Sequence, residues 1–212
     1  KKSLLSYLPQ LRIRVVDDYL PENTNLKVSL YKIIEFKLSR HFAFSLKRQQ
    51  ELDVHDPIAY MTGQMTKLLP GELISLQLVV SPAKNKGNKN ISKLISSNGD
   101  VIKYLNTPWF LKWILYNSYR PLKTKSLSET EMVNSIDSKI NQPLFKTSIR
   151  IFISLKDKDD LSERVQGFKS SFSTFSSNGY QSFTLKRFLI NPFYFFKKRM
   201  LSPINTSILS IS

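Results

Sequence analysis

Twice along this chain a stretch of alternating apolar residues gives way to helix-spaced apolar residues and then returns to alternation, an order that restricts the folds open to it. In the first instance, residues 28 to 38 are rich in β-formers, and Ile34, Phe36 and Leu38 alternate with Glu35 and Lys37, the period of a half-buried strand. Asp56-Pro57 then supplies a helix start. The Asp oxygen accepts from an otherwise unpaired N–H, and Pro takes the first helical position, where its missing donor costs nothing. Ile58, Met61, Met65 and Leu68 follow at helical spacing, and Pro70-Gly71 predicts a tight turn. Beyond it, Ile74, Leu76, Leu78 and Val80 alternate with Ser75, Gln77 and Val79, which predicts a strand with one mostly polar face.

In the second instance, Ile149, Ile151, Ile153 and Leu155 alternate with Arg150, Phe152 and Ser154. Asp160 with Glu163 predicts a helix start, and Leu161, Val165, Phe168, Phe172 and Phe175 then recur at intervals of four, three, four and three until Asn178-Gly179. That spacing places Phe168 and Phe172 in a core. Residues 180 to 188 are expected to supply a fourth strand. The intervening stretch, about residues 83 to 143, runs from a Lys/Asn/Gly-rich loop through a Trp- and Tyr-rich segment to a short helix. That helix opens on a capping box of Ser128 and Glu131 and carries Met132, Val133, Ile136 and Ile140 as its apolar stripe.

The order predicts an α+β fold, a ferredoxin-like split βαβ sandwich with an antiparallel sheet, helices on one face and an inserted helical segment. Residues 1–27 read as an N-terminal connecting segment and 28–190 as the domain, with its insertion at about 83–143. Residues 191–212 read as a basic, aromatic C-terminal segment leading to a downstream domain. The chain begins on Lys1 rather than Met, which fits a fragment of a longer protein.

Charge narrows the partners. The net charge is +16, and it is patterned: residues 82 to 125 hold nine basic groups and one acid, residues 183 to 212 five basic groups and none. Such stretches favour polyanions, either nucleic acid or an anionic membrane surface. Lys84, Lys86, Lys89 and Lys93 lie in a Gly/Asn/Ser-rich stretch without an apolar stripe and are expected to be solvated. Trp109, Lys112 and Trp113 interleave aromatics with cations, as bases and phosphates require, although their spacing equally suits a packed helix. After Asn191-Pro192, four closely spaced aromatics lead into Lys197, Lys198 and Arg199, a pattern that suits a docking segment.

Catalytic patterns are scarce. With no Cys there is neither a disulfide framework nor a thiol nucleophile, and the six Gly are isolated, so no loop of converging backbone N–H groups cradles a phosphate. His41 and His55 stand 14 residues apart with no second ligand at helical spacing and read as structural or surface residues. Asp56 reads as a cap, and Asp157, Asp159 and Asp160 as acids at a helix start, where the macrodipole favours them. No cofactor, metal or small-molecule substrate is called for. No apolar run reaches the roughly 18 to 20 residues that span a bilayer.

The runs Phe36-Lys37-Leu38, Phe44-Ser45-Leu46-Lys47 and Asp56-Pro57-Ile58, with the stretch Leu68-Leu69-Pro70-Gly71-Glu72-Leu73-Ile74 and its continuation to Pro82, resemble the domain that precedes the motor in conjugative, type IV secretion-type DNA-translocating ATPases. Lys139, Pro143-Leu144-Phe145 and Ser148-Ile149-Arg150-Ile151 are similar to that family's return strand. The similarity covers roughly residues 30 to 190 and consists of helix starts, turns and strands. It implies a non-catalytic accessory domain on the cytoplasmic side of the membrane, used for assembly, docking or DNA guiding beside a ring-forming motor. Its partners would be the downstream motor and the conjugation or secretion machinery, with DNA and a homo-oligomer formed through the parent as further possibilities. The rival expectation is a free-standing nucleic-acid-binding module whose sheet stacks bases, for which only Phe152 among the inner-strand positions is suitable. An enzyme with unrecognised chemistry is the third. With no phosphate loop, the purified chain is expected neither to bind nor to hydrolyse ATP. Hydrolysis above a mock preparation, abolished by a point change within residues 1 to 212, would contradict this.

Overall fold

The computed structural model describes residues 30–47, 56–83, 88–108, 110–112, 114, 126–177, 180–188, 191–203 and 207–210. It is an α+β fold built on a five-stranded antiparallel sheet. The elements are β1 (Leu30–Leu38), α1 (Pro57–Gly63), β2 (Leu73–Pro82), α2 (Asn88–Ser96), α3 (Val101–Asn106), α4 (Leu127–Ile140), β3 (Leu144–Leu155), α5 (Lys158–Ser173), β4 (Phe183–Leu185), α6 (Pro192–Lys197) and β5 (Ser207–Ser210). The strands lie in the order β2-β3-β1-β4, and β5 pairs with β3 beyond the end of β1, at residues 144 to 147. No helix among the described residues is long and apolar enough to cross a membrane.

Local signals fix most boundaries. Asp56 accepts from the Ile58 N–H, as Asp-Pro requires, but α1 stops at Gly63. Met65 and Leu68 therefore meet the core from a loop, and Ile58 is exposed. Arg164 of α5 holds that loop by donating to the carbonyls of Gln64 and Thr66. Gly71 has a φ of 88°, the left-handed conformation that a Pro-Gly turn needs. The capping box of α4 is formed by Ser126 and Glu129, not Ser128 and Glu131, because the helix begins two residues earlier. Asp157, not Asp160, caps α5 and accepts from the N–H groups of Asp159 and Asp160. Residues 178 and 179, expected to stop that helix, lie outside the described residues.

One sheet face carries Ile34, Phe36, Ile74, Ile149, Ile151 and Ile153, packed under Met61 of α1 and Val165, Phe168 and Phe172 of α5. Phe36 stacks on Phe172 at 3.9 Å between ring centres. The helical period of α5 is thus satisfied where the sequence placed it.

The opposite face was expected to be the polar side of half-buried strands. It is closed as well: α6 lies on it, with Phe196 stacked on Phe152 at 5.3 Å and Phe193 beside them. The aromatic segment at 193–199 therefore docks on its own sheet. Beneath it the strand register aligns Glu35, Arg150 and Gln77 in one row across β1, β3 and β2. Arg150 is 0% and Glu35 1% exposed. Arg150 Nε donates to Glu35 Oε2 at 2.7 Å, while the remaining guanidinium nitrogens donate to Gln77 Oε1, the Phe195 carbonyl and Ser202 Oγ. Ser202 Oγ donates in turn to Glu35 Oε2, Lys186 Nζ reaches Glu35 Oε1 at 3.3 Å, and Gln77 Nε2 donates to the Phe196 carbonyl.

Beyond Ile74, which is buried as expected, this inverts the expected sides of β2. Gln77 is buried, and Leu76, Leu78 and Val80 are exposed, Leu78 at 61%. On β2 the covering helices meet the aliphatic side only near Ile74, and β3 is the only strand bonded to β2 among the described residues.

Removing one member of a buried ion pair strands the other, at a cost of roughly 3 to 5 kcal/mol. Arg150→Ala is expected to lose that much in a urea titration, and the double change Glu35→Leu/Arg150→Met to recover most of it. Equal losses in the two variants would show that packing volume, not charge compensation, sets the stability here.

Candidate functional site

The segment between β2 and β3 builds a second core. In α2, Ile91, Leu94 and Ile95 face inward at helical spacing, and Asn88 donates from Nδ2 to the Ile140 carbonyl at the end of α4. Val101, Tyr104 and Leu105 of α3, Val133, Ile136 and Ile140 of α4, and Ala43 and Phe44 after β1 complete it. The expectation that this stretch lacks an apolar stripe therefore fails for residues 88–96, where the stripe is present but short.

The helical stripe has a consequence for charge. With one side of α2 buried, Lys89 and Lys93 fall one turn apart on the exposed side. Neither α2 nor α3 contains an acid, and Lys103 of α3 is exposed as well. Asp100, just before α3, is engaged as its cap and accepts from the Lys103 N–H. Lys84, Lys86, Trp109 and Trp113 lie outside the described residues. Lys112 is half-buried, with its ammonium 4.4 Å from the centre of the Tyr104 ring, a cation–π contact. Burial pulls its pKa below the usual lysine value. It belongs as much to packing as to the surface.

Lys197, Lys198 and Arg199 are exposed at the end of α6. Arg199 takes a φ of 51°, and the N–H groups of Arg199 and Met200 bond back to the carbonyls of Phe196 and Phe195. This is a Schellman closure with Arg where Gly is usual. The cations also sit where a helix end favours positive charge. The structure thus brings Lys89 and Lys93 together on the helical unit and Lys197, Lys198 and Arg199 together on α6.

Lys139 is buried and His41 half-buried, and the burial of Lys139 went unread in the sequence. Lys139 is 5% exposed, its Nζ donates to the Phe44 carbonyl at 2.8 Å, and burial pushes its pKa down to about 8. His41 accepts at Nδ1 from the Ala43 N–H at 3.3 Å. Burial first, and then the charges of Lys112 and Lys139, push it down to about 4. His41 is therefore neutral at pH 7 and structural, as its sequence context suggested. His55 lies outside the described residues. A Lys inside an apolar stripe, as at Ile136 to Ile140, is the signal that would have marked Lys139.

The family model described as a domain of unknown function, DUF8128, matches residues 3–207. No curated protein and no solved structure matches the chain.

The His41 shift has a definite sign. Its folded pKa of about 4 lies below the ordinary 6.5, so the unfolded chain takes up the proton first. Stability is retained above pH 6.5 and lost as pH falls towards 4, at a slope approaching about 1.4 kcal/mol per pH unit. In urea titrations between these limits, His41→Asn, which keeps an acceptor for Ala43, is expected to flatten the slope. An unchanged slope would assign the acid sensitivity to other groups.

Proposed function

This chain belongs to the DUF8128 family, and we propose that it is a non-catalytic accessory domain that presents a basic surface to a polyanion within a larger DNA-translocating, conjugation or type IV secretion-type ATPase. The observation that carries this reading is the acid-free exposed side of α2, with Lys89 and Lys93 one turn apart on a unit that has its own core. Cations fixed on a helix by packing behind them are preorganised for phosphates, whereas cations on a floppy loop must first be ordered. Lys197, Lys198 and Arg199 offer a second cluster on the C-terminal segment, which leads towards the motor in this reading.

The strand order β2-β3-β1-β4, with α1 and α5 packed on one face, supports a ferredoxin-like split βαβ plan with α2 to α4 as the inserted segment. Besides β5, paired with β3, the departure from that plan is α6 on the other face. It also weighs against a free-standing module that stacks bases on its sheet, since Phe152 and Arg150 lie beneath α6. Location at the inner face of the membrane, through the parent, goes with the same reading.

Contacts of this kind go to phosphates and carry no sequence information. Anisotropy titrations of labelled DNA from about 50 to 300 mM salt are expected to show weak, sequence-indifferent binding that falls steeply with salt. Lys89→Gln/Lys93→Gln is expected to reduce the salt slope by about two, the number of phosphate contacts removed. If affinity and slope are the same in both proteins, α2 is not the polyanion surface and the domain is better described as a protein-docking module.

A further inference from the structure

A cleft of about 150 Å³ opens between α4, the segment after β1 and strand β5. One water needs only about 15 Å³, so the space admits a group of several atoms. Its lining includes Ser45, Lys47, Ser135, Ser138, Lys139 and Gln142. Ser135 Oγ donates to Ser45 Oγ at 2.9 Å. Two of the others are incompletely satisfied. Gln142 Oε1 is buried with no hydrogen-bond partner. The Lys139 ammonium has three donors and, among the described residues, one neutral acceptor, the Phe44 carbonyl. No carboxylate among the described residues pairs with it: the ion pairs found are those of Glu35 with Arg150 and Lys186.

A buried cation is normally paired with an anion, because its desolvation is otherwise uncompensated. The C-terminal end of α4, where Lys139 lies, carries only about half a negative charge and offsets part of this. The cleft is therefore short of one negative charge and of a partner for one amide oxygen. Turned by half a turn about its last side-chain bond, Gln142 would direct its N–H donors where Oε1 now stands. Lys139, whose one acceptor among the described residues is the Phe44 carbonyl, lines the cleft with Lys47, Ser138 and the rotated amide, all of them donors.

We infer that this cleft binds a small oxyanion, a carboxylate or a phosphate group, with Lys139 as its counter-charge and Gln142 and Ser138 as hydrogen-bond donors. The site is separate from the exposed lysines of α2. It stands whether or not those lysines bind DNA.

Calorimetric titration of the intact chain with inorganic phosphate, and separately with acetate, at constant ionic strength distinguishes the two chemistries. One-site saturable binding of at least one anion is expected. Binding should weaken by about tenfold or more in Gln142→Leu and Lys139→Met, each of which removes a charged or polar partner of the anion, and should persist in Lys89→Gln/Lys93→Gln. Near pH 8, where Lys139 is partly deprotonated, binding should also take up protons, read from the heats in buffers of different ionisation enthalpy. If Lys139→Met does not fold, Gln142→Leu and Ser138→Ala decide the question. Absence of saturable binding with both anions, or binding that survives in Gln142→Leu and Ser138→Ala, overturns the inference and leaves a cleft that holds water.

Discussion

The ion pair between Arg150 and Glu35 is the constraint around which the rest of the structure is arranged. Two ionised groups at 0% and 1% exposure are tolerable only if every donor and lone pair finds a partner. The partners come from four directions: Gln77 from β2, Lys186 after β4, the Phe195 carbonyl from α6 and Ser202 beyond it. Their convergence fixes the register of three strands and brings the C-terminal segment back onto the sheet. Arg suits the role because its planar fork of donors serves several acceptors at once.

Closing that face changes what the remaining parts can do. Aromatic residues of the C-terminal segment that would otherwise be available to a partner are used in packing, with Phe196 against Phe152. Among what stays outside are the three cations after Phe196 and the lysines of α2, beside Tyr194 and the exposed apolar residues of β2. The helical unit follows the same principle at smaller scale. Burying Ile91 and Leu94 on one side of α2 forces Lys89 and Lys93 to the other, so the basic surface is a by-product of hydrophobic packing as well as of composition.

Within the helical unit, cations divide by environment. Lys89, Lys93 and Lys103 are solvated, and water compensates them. Lys139 and Lys112 are drawn inward, where burial lowers their affinity for a proton. Lys112 has the face of Tyr104 in partial compensation, and Lys139 has a single carbonyl. His41, next to both, is held neutral.

The sequence by itself determined the period of each element and several of its ends. Alternation at Ile149 to Leu155 and the four-and-three spacing of Val165, Phe168 and Phe172 are local facts of the chain, and the strand and helix built from them follow. So do Asp56 as a cap and the turn at Gly71. The capping boxes were placed two or three residues late because several Ser, Asp and Glu compete for the role, and only the helix's packing chooses among them. Which face of each strand is buried was not legible, since alternation separates two faces without saying what covers either. Gln77 is inside and Leu78 outside because α6 folds back over one face while α1 and α5 stop short on the other. Arg150 reads locally as the polar member of an alternating strand. Only the tertiary structure, by bringing Glu35, Gln77 and Ser202 within hydrogen-bonding distance, makes it the buried centre of the fold.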